Sequence, residues 1–194
     1  EVSRLLARGW GGRCWWITGA SGTGKTSLAR ILARQGADPD FVLELDAGGI
    51  TTATVRQWAS EAPYSAWGLG GRAWIINEAH GLRQDVIRAL DVWCEELPAH
   101  CVIICTTTRA GEDMLFDGAE DPAPLLSRME CVSLTNQGLA KVFAARAQEI
   151  AKAEGLDGAP IAKYISLAQD CKNNFREMLS RIERGVMLPP SKAE

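Results

Sequence analysis

The chain has 194 residues, of which 46% are hydrophobic and 23% charged, with a formal net charge of -3. This is the make-up of a soluble globular protein, one domain or a larger lobe plus a small one, with a core that needs no staples. The charge rules out a globally basic nucleic-acid binder, and no apolar run reaches the ~18–20 residues of a membrane span.

The opening, EVSRLLARGWGG, lacks a basic segment followed by an apolar one, so no signal peptide is read there. Six cysteines are present and none forms a C-x-x-C pair. They read as buried reduced thiols, and a cytoplasmic compartment is expected.

CWWITG (14–19) reads as a buried strand. A Gly-rich turn and the amphipathic run KTSLARILARQ (25–35) follow it. The intervening GASGTGKT, Gly19 to Thr26, matches G-x-x-x-x-G-K-[ST]. Such a loop wraps its backbone N–H groups around phosphates, which needs glycine where φ is positive or a side chain would collide. Lys25 brings a mobile charge to the β- and γ-phosphates, and the Thr26 hydroxyl suits Mg²⁺. The next helix aims its positive end at the anion. Nucleoside triphosphate binding is therefore expected at Gly19, Ala20, Ser21, Gly22, Thr23, Gly24, Lys25, Thr26 and Ser27.

FVLELDA (41–47) reads as a second strand and TTATVRQWASEA (51–62) as a helix with threonine caps. Glycines 68, 70 and 71 mark a turn before a third strand, RAWIIN (72–77). LRQDVIRALDVWCEEL (82–97) has apolar residues at 82, 86, 87, 90, 93, 94 and 97, which is helical spacing, and Pro98 ends it. CVIICTTT (101–108) reads as a fourth strand. The segment 109–124 reads as a loop, and MECVSL (129–134) as a short fifth strand. Beyond Leu134 the segments 136–154, 159–169 and 173–185 are all helical in period. Strands alternating with helices imply a parallel sheet covered on both faces. The expected organisation is a nucleotide-binding domain over 1–135 and a small all-helical domain over 136–194.

In a parallel sheet, ligands gather at the carboxyl ends of the strands. WIIN thus delivers Asn77 and Glu78 toward the phosphate loop. Glu78 can serve as the base that phosphoryl transfer to water requires. Asn77 can hold a water of the Mg²⁺ shell through its amide oxygen but brings no charge. A lost charge-assisted hydrogen bond typically costs ~1–3 kcal/mol, so weaker Mg²⁺ retention is expected than with Asp at this position. A hydroxyl of Thr106, Thr107 or Thr108 can contact the attacking water or the γ-phosphate.

In order, GASGTGKTSLARILA, ELDAGGITTATVRQW, RAWIINEAHGL, CVIICTTT, PLLSRMECVSL and CKNNFREMLSRIE resemble the AAA+ ATPases, and among these the clamp-loader subunits of replicative DNA polymerases. The likeness covers about 14 to 185. It implies a five-stranded parallel α/β sheet with a helical lid, ATP with Mg²⁺ as ligands, and a soluble oligomer. It further implies Lys25 and Thr26 on phosphates and Mg²⁺, Glu78 as base, and Thr107 at the sensor-1 position. Arg128 matches the arginine finger that acts on a neighbour's ATP, and Arg176 the sensor-2 arginine. The implied partners are AAA+ neighbour subunits, a sliding clamp and DNA, with Arg83 and Arg88 as candidate DNA contacts.

The sequence departs from the family pattern in several places. Asn77 stands for Asp, and Met129 stands for the Cys of a Ser-Arg-Cys box. No Cys cluster of the kind in the zinc module of bacterial gamma/tau subunits lies between 35 and 41, and the 194 residues reach only to the lid, so the chain reads either as a fragment of a longer collar-bearing subunit or as one that assembles without a collar. Two further readings stay open: a nucleotide-binding but weakly hydrolysing assembly subunit, and another AAA+ remodeller such as a helicase loader or branch-migration motor.

Overall fold

A computed structural model describes residues 9–108 and 123–188. The expected loop at 109–124 lies almost wholly outside the described residues, as do the ends of the chain.

Five strands form one parallel sheet: β1 (Arg13–Gly19), β2 (Val42–Asp46), β3 (Arg72–Asn77), β4 (Cys101–Thr107) and β5 (Met129–Leu134). Their order across the sheet is β2-β3-β4-β1-β5. The chain leaves β1, skips two positions to β2, returns through β3 and β4, and then passes β1 to reach β5. The connections after β1, β3 and β4 therefore open at the same sheet end, beside the point where the strand order reverses. That is where ligands collect in such sheets.

Alternation within the strands explains their near-continuous apolar runs. Trp15, Ile17, Ile75 and Ile104 pack on one face against Ala29 and Leu32 of helix α1 (Lys25–Ala33). Cys14, Trp16, Trp74, Ile76 and Ile103 pack on the other. There they meet Val55 and Trp58 of α2 (Thr52–Glu61) and Val86, Leu90 and Trp93 of α3 (Gln84–Glu95). Both faces are covered, so both sets of alternating residues are apolar. Trp74 and Trp93 meet edge to face at 4.8 Å, and Trp58 lies 6.2 Å from Trp93, centre to centre. Thr51 caps α2, its hydroxyl accepting from the Thr54 amide at 3.2 Å. A short helix α4 (Ala123–Ser127) leads into β5.

The chain divides into two compact units. One comprises residues 1–19 and 25–134. The other comprises residues 135–194 together with 20–24. The second unit holds helices α5 (Ala140–Ala153), α6 (Ile161–Asp170) and α7 (Phe175–Glu183). Its core is Ala144, Ala147 and Ala151 of α5 against Tyr164, Leu167, Met178 and Ile182. Small alanines along α5 let α6 approach closely. Tyr164 is fully buried, and its hydroxyl donates to Asp157 at 2.9 Å. In the same unit the Phe175 amide donates to the Gly22 carbonyl at 3.2 Å, and Asn174 caps α7 by accepting from the Glu177 amide.

The cysteines require one correction. All six are free thiols, but Cys131 is exposed and Cys94 only half-buried. Cys131 falls on an outward position of β5, one of the two edge strands of the sheet among the described residues. The buried thiols are poor nucleophiles: burial pushes Cys101 up to about 11 and raises Cys105 further.

Candidate functional site

The phosphate loop joins β1 to α1. Gly22 and Gly24 have φ of 76° and 90°, a backbone region that costs an L side chain energy, so the glycines at these two motif positions answer a conformational demand. Lys25 opens α1 and is 8% exposed, with Nζ donating to the Gly19 carbonyl at 3.0 Å. The ammonium is thus folded back over its own loop. Ala20, Ser21 and Gly24 are exposed, Gly22 and Thr23 half-buried, and Ser27 exposed on α1.

Sheet register brings the other groups together. Ile76 is level with Cys105, so Asn77 falls beside Thr106. Asn77 Oδ1 accepts from the Thr106 hydroxyl at 3.0 Å and from the Thr26 hydroxyl at 3.3 Å. The strand-end amide and the motif threonine, 51 residues apart in sequence, are in direct contact. Asn77 Nδ2 donates to Glu44 Oε1 on β2 at 2.8 Å. Glu44 in turn accepts from Arg30 of α1, from Nε at 2.7 Å and from Nη2 at 2.9 Å. The Arg30 hydrogen bond holds the Glu44 carboxyl below its ordinary range, and the partial burial that opposes it does not prevail.

Glu78 follows Asn77 in the left-handed region, with φ 51° and ψ 47°, and its side chain is exposed. His80 reaches two of the candidate groups. Its Nδ1 lies 3.0 Å from the Thr107 hydroxyl and 3.5 Å from Glu78 Oε2. Thr107 is fully buried and its hydroxyl donates to the Thr108 carbonyl at 3.2 Å. His80 thus lies beside both Thr107 and Glu78.

Arg128 lies elsewhere. Its Nη1 donates to Asp91 at 2.8 Å and its Nη2 pairs with Glu95, both on α3. The Glu95 hydrogen bond raises its pKa further, so its charge is permanent. Arg176 is exposed on α7 in the second unit. Arg83 is exposed and lies 3.5 Å from Asp85, and Arg88 is exposed on the same helix.

The donor set suits Mg²⁺. The Thr26 hydroxyl and the Asn77 amide oxygen are hard oxygens, and Mg²⁺ is held by one or two such groups plus waters and phosphates. No group of three or more His, Cys, Asp or Glu side chains among the described residues is placed to hold a metal ion by itself.

Glu44, Arg30 and His80 carry no role that the motifs reveal. A signal existed for Glu44, the one charged residue inside the apolar run FVLEL. A half-buried carboxylate among apolar neighbours calls for a partner.

No protein-family model matches the chain, and neither does any curated protein. Solved structures do. A DNA polymerase III gamma subunit-related protein from Thermotoga maritima superposes with TM-score 0.58 at 16% identity, over 94% of this chain and 56% of that one. Thermotoga maritima RuvB, solved as a threonine-to-valine variant, gives TM-score 0.65 at 18% identity, over 89% of this chain and 53% of that one. A lysine-to-arginine variant of the same RuvB gives 0.69 at 18%, over 89% and 54%. The chain shares the fold of these proteins over most of its length. At these identities the likeness speaks for architecture, and the chain spans little more than half the length of each. Among its described residues, no helix is long and apolar enough to cross a membrane.

Proposed function

We propose that the chain is an ATP-binding and ATP-hydrolysing AAA+ subunit of the clamp-loader type, coupling its nucleotide state to assembly on a sliding clamp and DNA. The observation that carries this is the junction of Thr26 with Asn77, next to Glu78 and one residue from Lys25. A phosphate-binding threonine, a metal-water ligand and a base candidate meet at one sheet end.

In this reading the loop amides and the α1 N-terminus bind the phosphates, and Lys25 leaves the Gly19 carbonyl to meet the β- and γ-oxygens. Thr26 and Asn77 would hold Mg²⁺, the first directly and the second through water. When bound, the ion neutralises charge on the β- and γ-phosphate oxygens. Glu78 takes the proton of the attacking water. Arg176 is assigned to the phosphates within the subunit and Arg128 to the ATP of a neighbour. The helical domain is proposed to begin near 136 and to act as the lid.

The clamp-loader assignment draws on the ordered motifs and on the gamma subunit-related neighbour. A protein partner also needs an accessible apolar surface. Tyr64, Trp67 and Leu69 supply one between α2 and β3, with Trp67 86% exposed. The RuvB likeness favours a second reading, a motor on branched DNA.

Steady-state ATP hydrolysis with Glu78→Gln tests the chemistry. Turnover is expected to fall by roughly two orders of magnitude or more while nucleotide still binds, the usual worth of a general base. Unchanged turnover would remove Glu78 from its role. Co-purification with a sliding clamp, against binding to four-way DNA junctions, separates the two jobs.

A further inference from the structure

If the site takes ATP and Mg²⁺, as proposed above, it must orient the ion's shell without an aspartate. Asn77 is neutral, yet a carboxylate lies one hydrogen bond behind it. Glu44 Oε1 accepts from Asn77 Nδ2 at 2.8 Å, and both Glu44 oxygens accept from the Arg30 guanidinium. A carboxylate gripped in this way can only accept.

The consequence for Asn77 is directional. A primary amide has one accepting end and one donating end. Glu44 takes the donating end, so Oδ1 must point the other way, where the Thr26 and Thr106 hydroxyls meet it at 3.3 Å and 3.0 Å. An asparagine lacking this anchor could turn over and present its NH₂ to Thr26, and an N–H donor repels a cation and cannot orient its water. We infer that Glu44 is a positioning residue of the nucleotide site: it locks the Asn77 amide with its oxygen toward Thr26.

The same geometry explains why asparagine stands here. An aspartate at this position would set two carboxylates at the distance of a hydrogen bond, where both cannot stay ionised without cost. Asn77 and Glu44 are then a matched pair. Introducing the aspartate alone should harm the site, and introducing it together with Glu44→Gln should not. In the double variant the new glutamine accepts from Arg30 through its amide oxygen. Its NH₂ donates to the new aspartate, and the Arg30 Nη2 donor that shared Oε1 is left to water, the Arg30 side chain being 55% exposed.

The test uses the full chain in four forms: the parent, Asn77→Asp, Glu44→Gln, and both together. Two quantities are read: the thermal midpoint without nucleotide, and the affinity for a fluorescent ATP analogue with and without Mg²⁺. Asn77→Asp is expected to lower the midpoint and to reduce the Mg²⁺-dependent gain in affinity on the order of tenfold relative to the double variant, the size of a charged hydrogen bond. Glu44→Gln alone is expected to lose part of that gain, because a glutamine amide both donates and accepts and no longer dictates the orientation of Asn77. The double variant recovers both readouts. Failure of Asn77→Asp to fold, with a folded double variant, is the same coupling in its extreme form.

A parental Mg²⁺ gain in Glu44→Gln overturns the inference, as does an Asn77→Asp protein matching the double variant in both readouts. Either result leaves the functional reading standing, provided that the parent binds nucleotide. A parent that binds no nucleotide overturns that reading and this inference with it.

Discussion

Glu78 occupies backbone that glycine would adopt freely and glutamate does not. At φ 51° and ψ 47° an L side chain carries a cost of roughly 1–2 kcal/mol. The turn that follows holds it there, with the Gly81 amide donating to the Glu78 carbonyl at 2.8 Å. Glu78→Gly should relieve this strain, offset in part by the extra freedom of the unfolded chain. The expected outcome is a thermal midpoint equal to or above that of the parent, with turnover lost. Glu78→Gln should keep the parental midpoint and lose turnover. A clear loss of stability in Glu78→Gly would mean that the side chain, and not the site, holds the turn. At this scale the sequence was partly legible. The motif exposed the identities of Lys25, Thr26, Asn77 and Glu78. It could not expose which way the Asn77 amide faces, because that depends on Glu44, 33 residues away and brought near only by the pairing of β2 with β3. The left-handed backbone of Glu78 and the place of His80 beside Thr107 were equally hidden, since both are products of the turn.

Secondary elements were more legible than their ends. Strands β1, β3 and β4 fall where apolar runs place them, because each is buried on both faces, and β5 falls on its expected residues with Met129 and Val132 buried and Cys131 and Ser133 exposed. The misjudged ends have local causes. Phe41 reads as strand but closes a 3₁₀ turn begun by Pro39. Leu82 reads as helix, yet its amide donates to the Ala79 carbonyl at 3.1 Å, and α3 begins only after Arg83. The segment from 136 starts late because Asn136 is engaged across the unit, donating to the Lys172 carbonyl and accepting from Asn173. Tyr164 carries the prediction that belongs here. Burial, reinforced by Asp157, pushes its phenol up to about 12. Its folded pKa is raised above the ordinary value of about 10, so the stability it contributes is complete below about pH 10 and is lost as pH rises through about 12. Tyr164→Phe removes the hydroxyl and should cost the helical unit about 1–2 kcal/mol, chiefly through the lost bond to Asp157. It should also flatten the alkaline arm of stability, measured by helical circular dichroism between about pH 10 and 12. An unchanged alkaline arm would mean that another group titrates there.

At the scale of the whole molecule, Arg128 decides whether a second copy completes the site. It stands on the residue preceding β5, and its guanidinium bridges Asp91 and Glu95 of its own chain. Such partly exposed pairs contribute little stability, so the pairing does not by itself explain an arginine there. It does pre-set the side chain, and a phosphate of the neighbouring subunit would have to compete with two carboxylates. Whether it does so can be decided by mixing subunits. Glu78→Gln keeps the arginine and lacks the base, and Arg128→Ala keeps the base and lacks the arginine. Each alone should bind nucleotide and turn it over poorly. If Arg128 acts on a neighbour, a mixed assembly contains interfaces in which an intact base faces an intact arginine. Turnover of the mixture should then exceed the sum of the separate proteins and rise with total protein concentration. If Arg128 only braces α3, Arg128→Ala hydrolyses ATP at the parental rate and mixing restores nothing. Parental turnover in Arg128→Ala would therefore end the trans-acting assignment, while leaving the Thr26–Asn77–Glu44 geometry of the single chain intact.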